Sequence, residues 1–123
     1  MSNSRVSNIK HAQKESQLLQ EIGQLYVQIA QDDPRLQGLY ITRVKLSADK
    51  GMCTVFFHAL GGLKEFEEKR PFLVLYKGSL RKALSQLITG RYTPNLRFTY
   101  DQQLDKQRHI DDLIDNLKKE GKL

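Results

Sequence analysis

The sequence predicts an α+β fold in which three strands and several helices form one layered domain. Apolar residues recur with a helical period before residue 32, alternate with polar residues in three short segments between residues 39 and 101, and return to a helical period near the C-terminus. The 123 residues are enough to bury a core as a single domain. Because three strands cannot enclose a core alone, we expect the helices to pack on one face of the sheet.

The first predicted element is a helix over residues 4–31. Apolar residues meet the spacing i, i+3, i+4, i+7 at Ile22, Leu25, Tyr26 and Ile29. Pro34 ends the pattern, since proline disfavours the helical conformation of the residue before it. The first turns are polar and carry Arg5, Lys10, His11 and Lys14. Exposed basic side chains at such positions are most often only solvated.

A β-hairpin is predicted next, with strands at 39–47 and 52–58. The parity of the apolar positions changes at Arg43, which indicates a bulge or a twist there. In the second strand, one face carries Cys53, Val55 and Phe57, and His58 is expected to be a polar residue at the strand's end. The turn spans residues 48–51, and Gly51 is expected to take a positive φ.

Residues 63–77 favour a helix that contains Pro71. Either the helix kinks at Arg70, or a turn precedes a helix that starts at Pro71. Gly78 is expected to interrupt the chain, with Ser79 as the N-cap of the next helix. That helix has an apolar stripe and ends at a glycine, as shown by Leu80, Leu84, Leu87, Ile88 and Gly90.

The last predicted elements are a turn at 92–95, a third strand and a final helix. In the strand, Leu96, Phe98 and Tyr100 alternate with polar residues. An amphipathic helix is expected over 104–119, with an apolar stripe and an acidic opposite face. We expect a domain over residues 1–103, and a C-terminal helix and tail over 104–123 that packs on this domain or extends from it.

The net charge of +6 is concentrated in one segment. Residues 69–100 contain seven basic residues and no Asp or Glu, and the rest of the chain has 13 basic against 14 acidic residues. Phosphate is the usual partner for such a local excess, because its binding releases condensed counterions. A solvated basic surface that only aids solubility is the alternative. The lack of acids across 32 residues favours RNA or another polyanion.

The sequence contains no pattern typical of a catalytic or metal site. His11, His58 and His109 lack partners at metal-ligand spacing, and the single cysteine, Cys53, falls on the predicted core face. Neither a phosphate-binding Gly-Lys-Ser/Thr loop nor a nucleophile elbow is present. We therefore expect no enzyme activity, no cofactor and no metal.

The sequence also bears on the compartment. No run of 18 apolar residues is present, so we expect no membrane partner. The first ten residues lack the apolar core of a signal peptide, and one cysteine cannot form an intramolecular disulfide. We expect a cytoplasmic monomer.

The order of elements and several stretches of sequence resemble the bacterial ribosome-binding factor A family, which has a type II K-homology (KH) fold. The stretches are Asp33-Pro34-Arg35-Leu36, residues 42–49 (TRVKLSAD), Gly78-Ser79-Leu80-Arg81, the later residues Arg91, Pro94, Leu96, Phe98 and Asp101, and residues 110–117. The likeness covers roughly residues 5–117. It implies a single KH-like domain with the order α-β-β-α-α-β, followed by a C-terminal helix.

The hallmark of this family is an interhelical Ala-x-Gly kink where ordinary KH domains carry Gly-x-x-Gly. The chain has no Gly-x-x-Gly, which is similar to the family, and Gly78 occupies the glycine of the kink. Tyr76, however, stands at the alanine position. A tyrosine there would either clash with the close approach of the two helices or offer a stacking surface to a base.

The resemblance implies a maturation factor for the small ribosomal subunit. Members of the family bind the 30S particle or its precursor and act on 16S rRNA late in processing, near its 5′-terminal helix. Cold adaptation belongs to the same picture, and the members are not enzymes. The implied partners are the 30S subunit and its precursors, 16S rRNA, and ribosomal proteins or an assembly GTPase.

The candidate RNA contacts lie in the basic segment. Phosphate contacts are expected from six cations, namely Arg70, Lys77, Arg81, Lys82, Arg91 and Arg97, and backbone N–H donors from a helix terminus at Gly78 and Ser79. Such a set favours recognition of RNA shape over base reading. The alternatives are a protein-interaction adaptor, or a generic RNA-binding KH-like module without ribosome specificity.

Overall fold

The computed structural model of the protein describes residues 2–88, 93–119 and 121, with side chains described for residues 8–88, 93–103, 106, 110–118 and 121. The elements are, in order, α1 (Ser2–Asp32), β1 (Leu39–Leu46), β2 (Met52–Ala59), α2 (Gly62–Val74), α3 (Lys77–Leu87), β3 (Asn95–Tyr100) and α4 (Gln102–Lys119). A short 3-10 helix, Pro34–Leu36, joins α1 to β1. This arrangement confirms the predicted α+β order.

The three strands form one sheet in the order β1-β2-β3. β1 and β2 are antiparallel, and β2 and β3 are parallel. The register of the β1–β2 pair shifts between Ile41 and Arg43, so Thr42 is the extra residue of a bulge. The bulge predicted from the change of parity at Arg43 is therefore confirmed.

The turn between β1 and β2 differs from its prediction in one residue. Lys50, and not Gly51, takes the positive φ, with a value of 62°. The backbone N–H of Lys50 donates to the carbonyl of Ser47, which closes a turn over residues 47–50. In hairpins closed in this way, the last residue of the turn takes the left-handed conformation, and here this residue is Lys50, one position before Gly51.

The core lies between one face of the sheet and the first three helices. The inward residues Cys53, Val55 and Phe57 of β2 have no exposed surface. Leu18, Ile22 and Tyr26 of α1, Phe66 and Leu73 of α2, and Leu80 and Leu84 of α3 pack against this face. On the opposite face, the outward residues of the three strands are exposed or half-buried, except for His58. The prediction that the helices cover one face is confirmed for the described residues.

The junction between α2 and α3 decides between two alternatives and corrects one prediction. α2 runs through Pro71 to Val74, so the helix that contains Pro71 is present and no new helix starts at Pro71. α3 begins at Lys77 with Tyr76 as its N-cap residue, so Gly78 and Ser79 lie inside the helix and Ser79 is not the cap. The chain turns at Tyr76, whose backbone N–H donates to the carbonyl of Leu73. Leu87, expected in the buried stripe, is half-exposed.

The final helix is present, but its apolar stripe is not buried. Ile110 and Leu113 are each 50% exposed, and Ile114 and Leu117 are 39% and 38% exposed. All four side chains are more exposed than the apolar residues of the core. The predicted helix end at Gly90 and the first residue of the predicted turn, Tyr92, lie outside the described residues, and Asn95, the last residue of that turn, is already the first residue of β3.

Candidate nucleic-acid interface

The solvent-facing side of α3 brings together four of the predicted site residues. Gly78, Ser79, Arg81 and Lys82 are all exposed, and the spacing i, i+3, i+4 of Gly78, Arg81 and Lys82 sets these three on one face of the helix. The guanidinium of Arg81 also donates from Nη2 to the carbonyl of Thr93, at 3.0 Å. We call Gly78, Ser79, Arg81 and Lys82 the α3 face.

The start of α3 is open to an anion. Tyr76, the N-cap residue, makes no side-chain hydrogen bond to the first turn. The first N–H groups of a helix have no partner within it, and they favour negative charge. A Cβ added to Gly78 would meet no atom within 4 Å, so the packing of the protein does not require a glycine there.

Tyr76 is accommodated between the two helices by packing and by a hydrogen bond. Its hydroxyl donates to Oδ2 of Asp33 at 2.6 Å, and its ring packs, partly buried, against the core. Asp33 lies at the end of α1, so this bond links the α2–α3 junction to another part of the fold. The tyrosine in place of the family's alanine therefore fixes the kink to the α1–β1 connection.

Asp33 is the centre of a hydrogen-bond network. Oδ1 accepts from the backbone N–H and Nε of Arg35, at 3.0 Å and 2.9 Å, and Oδ2 accepts from Nη2 of Arg35 at 2.7 Å. The Arg35 guanidinium, and then the Tyr76 hydroxyl, hold the pKa of Asp33 well below its ordinary range. Arg35 also lies 4.7 Å from the centroid of the Phe72 ring in α2. The network ties α1, α2 and the kink together.

Removing the Tyr76 hydroxyl should loosen the kink without emptying its packing. We expect Tyr76→Phe to lower the Tm by about 5 °C, because Asp33 loses one donor and retains Arg35. Tyr76→Ala also deletes the ring and should lower the Tm further, although it restores the residue expected of the family. Thermal unfolding followed by circular dichroism measures both. Equal stability of Tyr76→Ala and the native chain would contradict the linking role.

The remaining predicted site residues are dispersed. Arg70 is exposed on α2, and Lys77 is half-buried with its Nζ 5.7 Å from the centroid of the core ring of Phe98. Arg97 lies on the outward face of the sheet, away from the helices. Arg91 lies outside the described residues. The basic segment is thus continuous in sequence but divided between two faces of the fold.

The outward face of the sheet carries cations that the charge count did not single out. Lys45, Thr54 and Arg97 lie side by side across the three strands. Arg43 packs over the Phe56 ring, 3.7 Å from its centroid, and its Nε donates to Asp101 at 3.2 Å. Strand alternation was the signal for this face, because residues that alternate with a buried row must point to the other side.

His58, expected at a polar rim, is buried. It is 1% exposed, and its Nδ1 is hydrogen-bonded to the hydroxyl of Tyr40 at 2.6 Å. Its ring also stacks on that of Tyr100, with centroids 5.5 Å apart. These aromatic partners at the end of the sheet explain why a histidine is accommodated there.

Asp101 is a second buried carboxylate with a shifted pKa. Burial acts to raise the pKa, but hydrogen bonds from Thr42 Oγ1 (2.6 Å) and Arg43 outweigh it, so the pKa of Asp101 is lowered. Its other oxygen accepts from the backbone N–H of Gln103 at 3.1 Å. Asp101 therefore connects the bulge in β1 to the start of α4.

Asp33 and Asp101 should make stability depend on pH. Because their pKa values are lowered by folding, the unfolded chain binds more protons below the ordinary carboxyl range. Their contribution is present above about pH 4 and is lost as the pH falls toward the folded-state values. We expect the Tm to decline between about pH 4 and pH 2.5. Asp33→Asn should lower the Tm at pH 6 and flatten this decline, whereas Asp112→Asn on α4 should do neither.

The described residues give little support for a reactive cysteine, a metal site or a membrane-spanning helix. Cys53 is fully buried, and burial, with a smaller effect of Glu15, raises the pKa of its thiol to about 11, which keeps it protonated at neutral pH. Within the described ranges, no group of three or more His, Cys, Asp or Glu residues is arranged to hold a metal ion. The described helices include none that combines the length and apolarity needed to cross a bilayer.

Comparison with known proteins identifies the family. The model of a family described as ribosome-binding factor A matches residues 10–114. The chain is 37% identical over 86 residues to ribosome-binding factor A of Enterococcus faecalis, and the alignment covers 69% of this chain and 74% of the relative.

Solved structures agree with this result. The crystal structure of ribosome-binding factor A from Thermus thermophilus matches with a TM-score of 0.62 at 29% identity, covering 73% of this chain and 94% of that one. A homology model of the Thermus thermophilus factor, as fitted into the cryo-EM map of a 30S–ribosome-binding factor A complex, matches with a TM-score of 0.53 at 27% identity, covering 70% and 89%. The KH-like fold is thereby confirmed, and the chain belongs to the ribosome-binding factor A family.

Proposed function

We propose that this protein binds the 30S ribosomal subunit and its precursors, contacts 16S rRNA near the 5′-terminal helix, and promotes late processing of that RNA. The protein acts by binding and not as an enzyme. It works in the cytoplasm as a monomer, and it contributes to growth in the cold. Ribosomal proteins or an assembly GTPase are its further partners. The relative fitted into the map of a 30S complex supports the choice of particle.

The α3 face is the observation that carries this proposal. It combines two exposed cations with the uncapped start of a helix, beside a glycine that leaves open space. Phosphate oxygens are the natural ligands of such a set, since they accept charge-assisted hydrogen bonds from arginine and from helical N–H groups. Arg70, Lys77, Arg91 and Arg97 are proposed as further phosphate contacts, with Arg97 on the outward face of the sheet.

Co-sedimentation tests the proposal. The purified protein is mixed with small subunits and their precursors, large subunits serve as the control particle, and unrelated RNA is added in excess as competitor. We expect binding to small-subunit particles that survives the competitor. Binding that the competitor removes would indicate a generic RNA-binding module. Binding that survives nuclease treatment of the particle would indicate a protein adaptor.

A further inference from the structure

The end of the sheet that carries the β1–β2 turn collects cations from several elements. The backbone N–H of Asn95 donates to the carbonyl of Gly51 at 2.9 Å, which sets the start of β3 beside the turn. The bond from Arg81 to the carbonyl of Thr93 brings α3 to the same end. Arg81 of the α3 face and Gly51 of the turn are thus both bonded to the segment at the start of β3, although 30 residues separate them in sequence.

The N-terminal half of α1 is fixed to this end as well. Nε2 of His11 donates to the carbonyl of Leu46 at 2.9 Å, and the backbone N–H of Leu46 donates to Oε1 of Glu15 at 3.0 Å. Both backbone polar groups of the last residue of β1 are thus bonded by side chains of α1. Lys10, next to His11, consequently has a defined place relative to the turn.

A cleft of about 470 Å³ lies between α1 and the turn. Its lining residues are Asn8, Lys10, His11, Ala48 and Lys50, and none of them is acidic. The side chains of Lys10 and Lys50 are both exposed. The volume exceeds that of a phosphate group, and the two lysines that line the cleft come from different elements, one from the helix and one from the turn.

The nearby carboxylates are engaged elsewhere. Asp49 accepts from the hydroxyl of Ser47 at 2.6 Å and from the backbone N–H of Gly51 at 2.9 Å, and these bonds lower the pKa of Asp49. Oε1 of Glu15 accepts from the backbone N–H of Leu46 and lies 3.3 Å from Nε2 of His11, which lines the cleft. Neither carboxylate lines the cleft, so neither occupies the position of an incoming anion.

The cationic surface continues on the outward face of the sheet. Lys45 and Arg97 flank Thr54 in the second residue row from the turn, and both are exposed. At about 3.3 Å per residue, this row lies roughly 7 Å from the turn. We call Lys10, Lys45, Lys50 and Arg97 the turn-end surface. Arg81 connects it to the α3 face.

We propose that the turn-end surface is a second contact for the RNA backbone, and that Lys10 and Lys50 hold a phosphate in the cleft between α1 and the turn. The identity of the RNA as ribosomal rests on the proposed function, whereas the phosphate contact does not. Protein interfaces have apolar and aromatic centres that are depleted in lysine. The lining of this cleft has the opposite composition, which favours a polyanion over a protein partner.

The test compares Lys10→Gln/Lys50→Gln with a control, Lys64→Gln/Lys106→Gln, which removes the same charge from exposed lysines of α2 and α4. Affinity is measured between 0.05 and about 0.3 M salt for two ligands, small-subunit particles and an RNA hairpin of unrelated sequence. We expect the slope of log K against log salt to fall by about 1, since one phosphate contact is lost, and the affinity at 0.1 M salt to fall roughly tenfold for both ligands. The control should match the native chain.

Each other outcome is decisive. If the variant binds the hairpin with native affinity and slope, the phosphate contact is wrong. If the variant loses the particle but keeps the hairpin, the surface contacts a ribosomal protein and the RNA proposal is overturned. If the native chain binds the hairpin but not the particle, the proposed function is wrong. The phosphate contact is still tested in that case, by comparing the salt slopes of the native chain and the variant for the hairpin. Native thermal unfolding of the variant shows that it is folded.

Discussion

Replacing Arg81 and Lys82 with glutamate should weaken binding to small-subunit particles by on the order of a hundredfold at 0.1 M salt. Both side chains belong to the α3 face, and the reversal removes two phosphate contacts and adds repulsion. The salt slope should fall by about 2, since each neutralised phosphate contributes nearly one unit. Fluorescence anisotropy with a labelled protein measures both quantities across a salt series.

The controls for this variant follow from its surroundings. Arg81 also donates to the carbonyl of Thr93, so Arg81→Gln/Lys82→Gln is needed, because glutamine removes the charge and retains an N–H donor. Lys64→Glu/Lys106→Glu makes the same change of net charge on other exposed lysines. If that control weakens binding as much as the α3 variant does, the effect is long-range charge and the α3 face is not the contact.

Gly78→Ala probes the same face without changing charge. Space is open around Gly78, so the fold accommodates a methyl group and thermal stability should be retained or slightly increased. We expect weaker binding, because the methyl group would occupy the place where a phosphate reaches the first N–H groups of α3. Native affinity of a stable Gly78→Ala protein would exclude close approach of RNA to the start of the helix.

Phe57→Ala should cost about 3–5 kcal/mol of the free energy of unfolding. The Phe57 side chain is fully buried, and its ring lies 5.2 Å from that of Tyr26, 5.6 Å from Phe98 and 6.1 Å from Phe66. Three elements therefore lose contacts at once. The total free energy of unfolding of a domain of this size is about 5–15 kcal/mol. The variant should therefore unfold at a much lower urea concentration than the native chain.

Its neighbour supplies a matched control. Phe56 is the same residue type in the same strand, but it lies on the outward face under Arg43 and is half-buried. Phe56→Ala should cost about 1 kcal/mol, because it leaves no closed cavity. Urea unfolding monitored by circular dichroism compares the two. Equal losses would mean that the sheet is buried on both faces, contrary to the fold described.

The elements with a strong periodic pattern could be predicted from the sequence. The helical spacing of Ile22 and Tyr26 indicated α1, and the alternation around Phe57 and Phe98 indicated two strands and their inward face. The change of parity at Arg43 indicated a bulge or a twist, and the bulge is the one present. These patterns are local, and tertiary contacts reinforce them instead of overriding them.

The kink could not be predicted, because a distant residue sets it. Ser79 is a good N-cap by type, yet the helix starts earlier, at Lys77. The hydroxyl of Tyr76 is bonded to Asp33, which is 43 residues away in sequence, and this bond fixes where the chain turns. No local rule contains that partner, so intrinsic preference was overruled by tertiary structure.

Only part of the candidate site was predicted, because contacts between residues distant in sequence determine the rest. Counting charges along the chain found Arg81 and Lys82, which helical spacing then holds on one face. The same count grouped Arg97 with them, although strand alternation sends its side chain to the other side of the sheet. Lys45 was missed because it lies outside the acid-free segment and meets Arg97 only through strand pairing.

The bulge at Thr42 also protects the protein from adding strands to its own copies. β1 is an edge strand, and a straight edge with free N–H and C=O groups is a template for intermolecular sheets. The bulge breaks this template after Ile41, and at the other end the backbone groups of Leu46 are already bonded to α1. Arg43 and Lys45 lie between the bulge and Leu46, and their positive charges would repel the same residues of a second copy. The β1 edge of the sheet is thus divided into segments too short for stable pairing with a second copy.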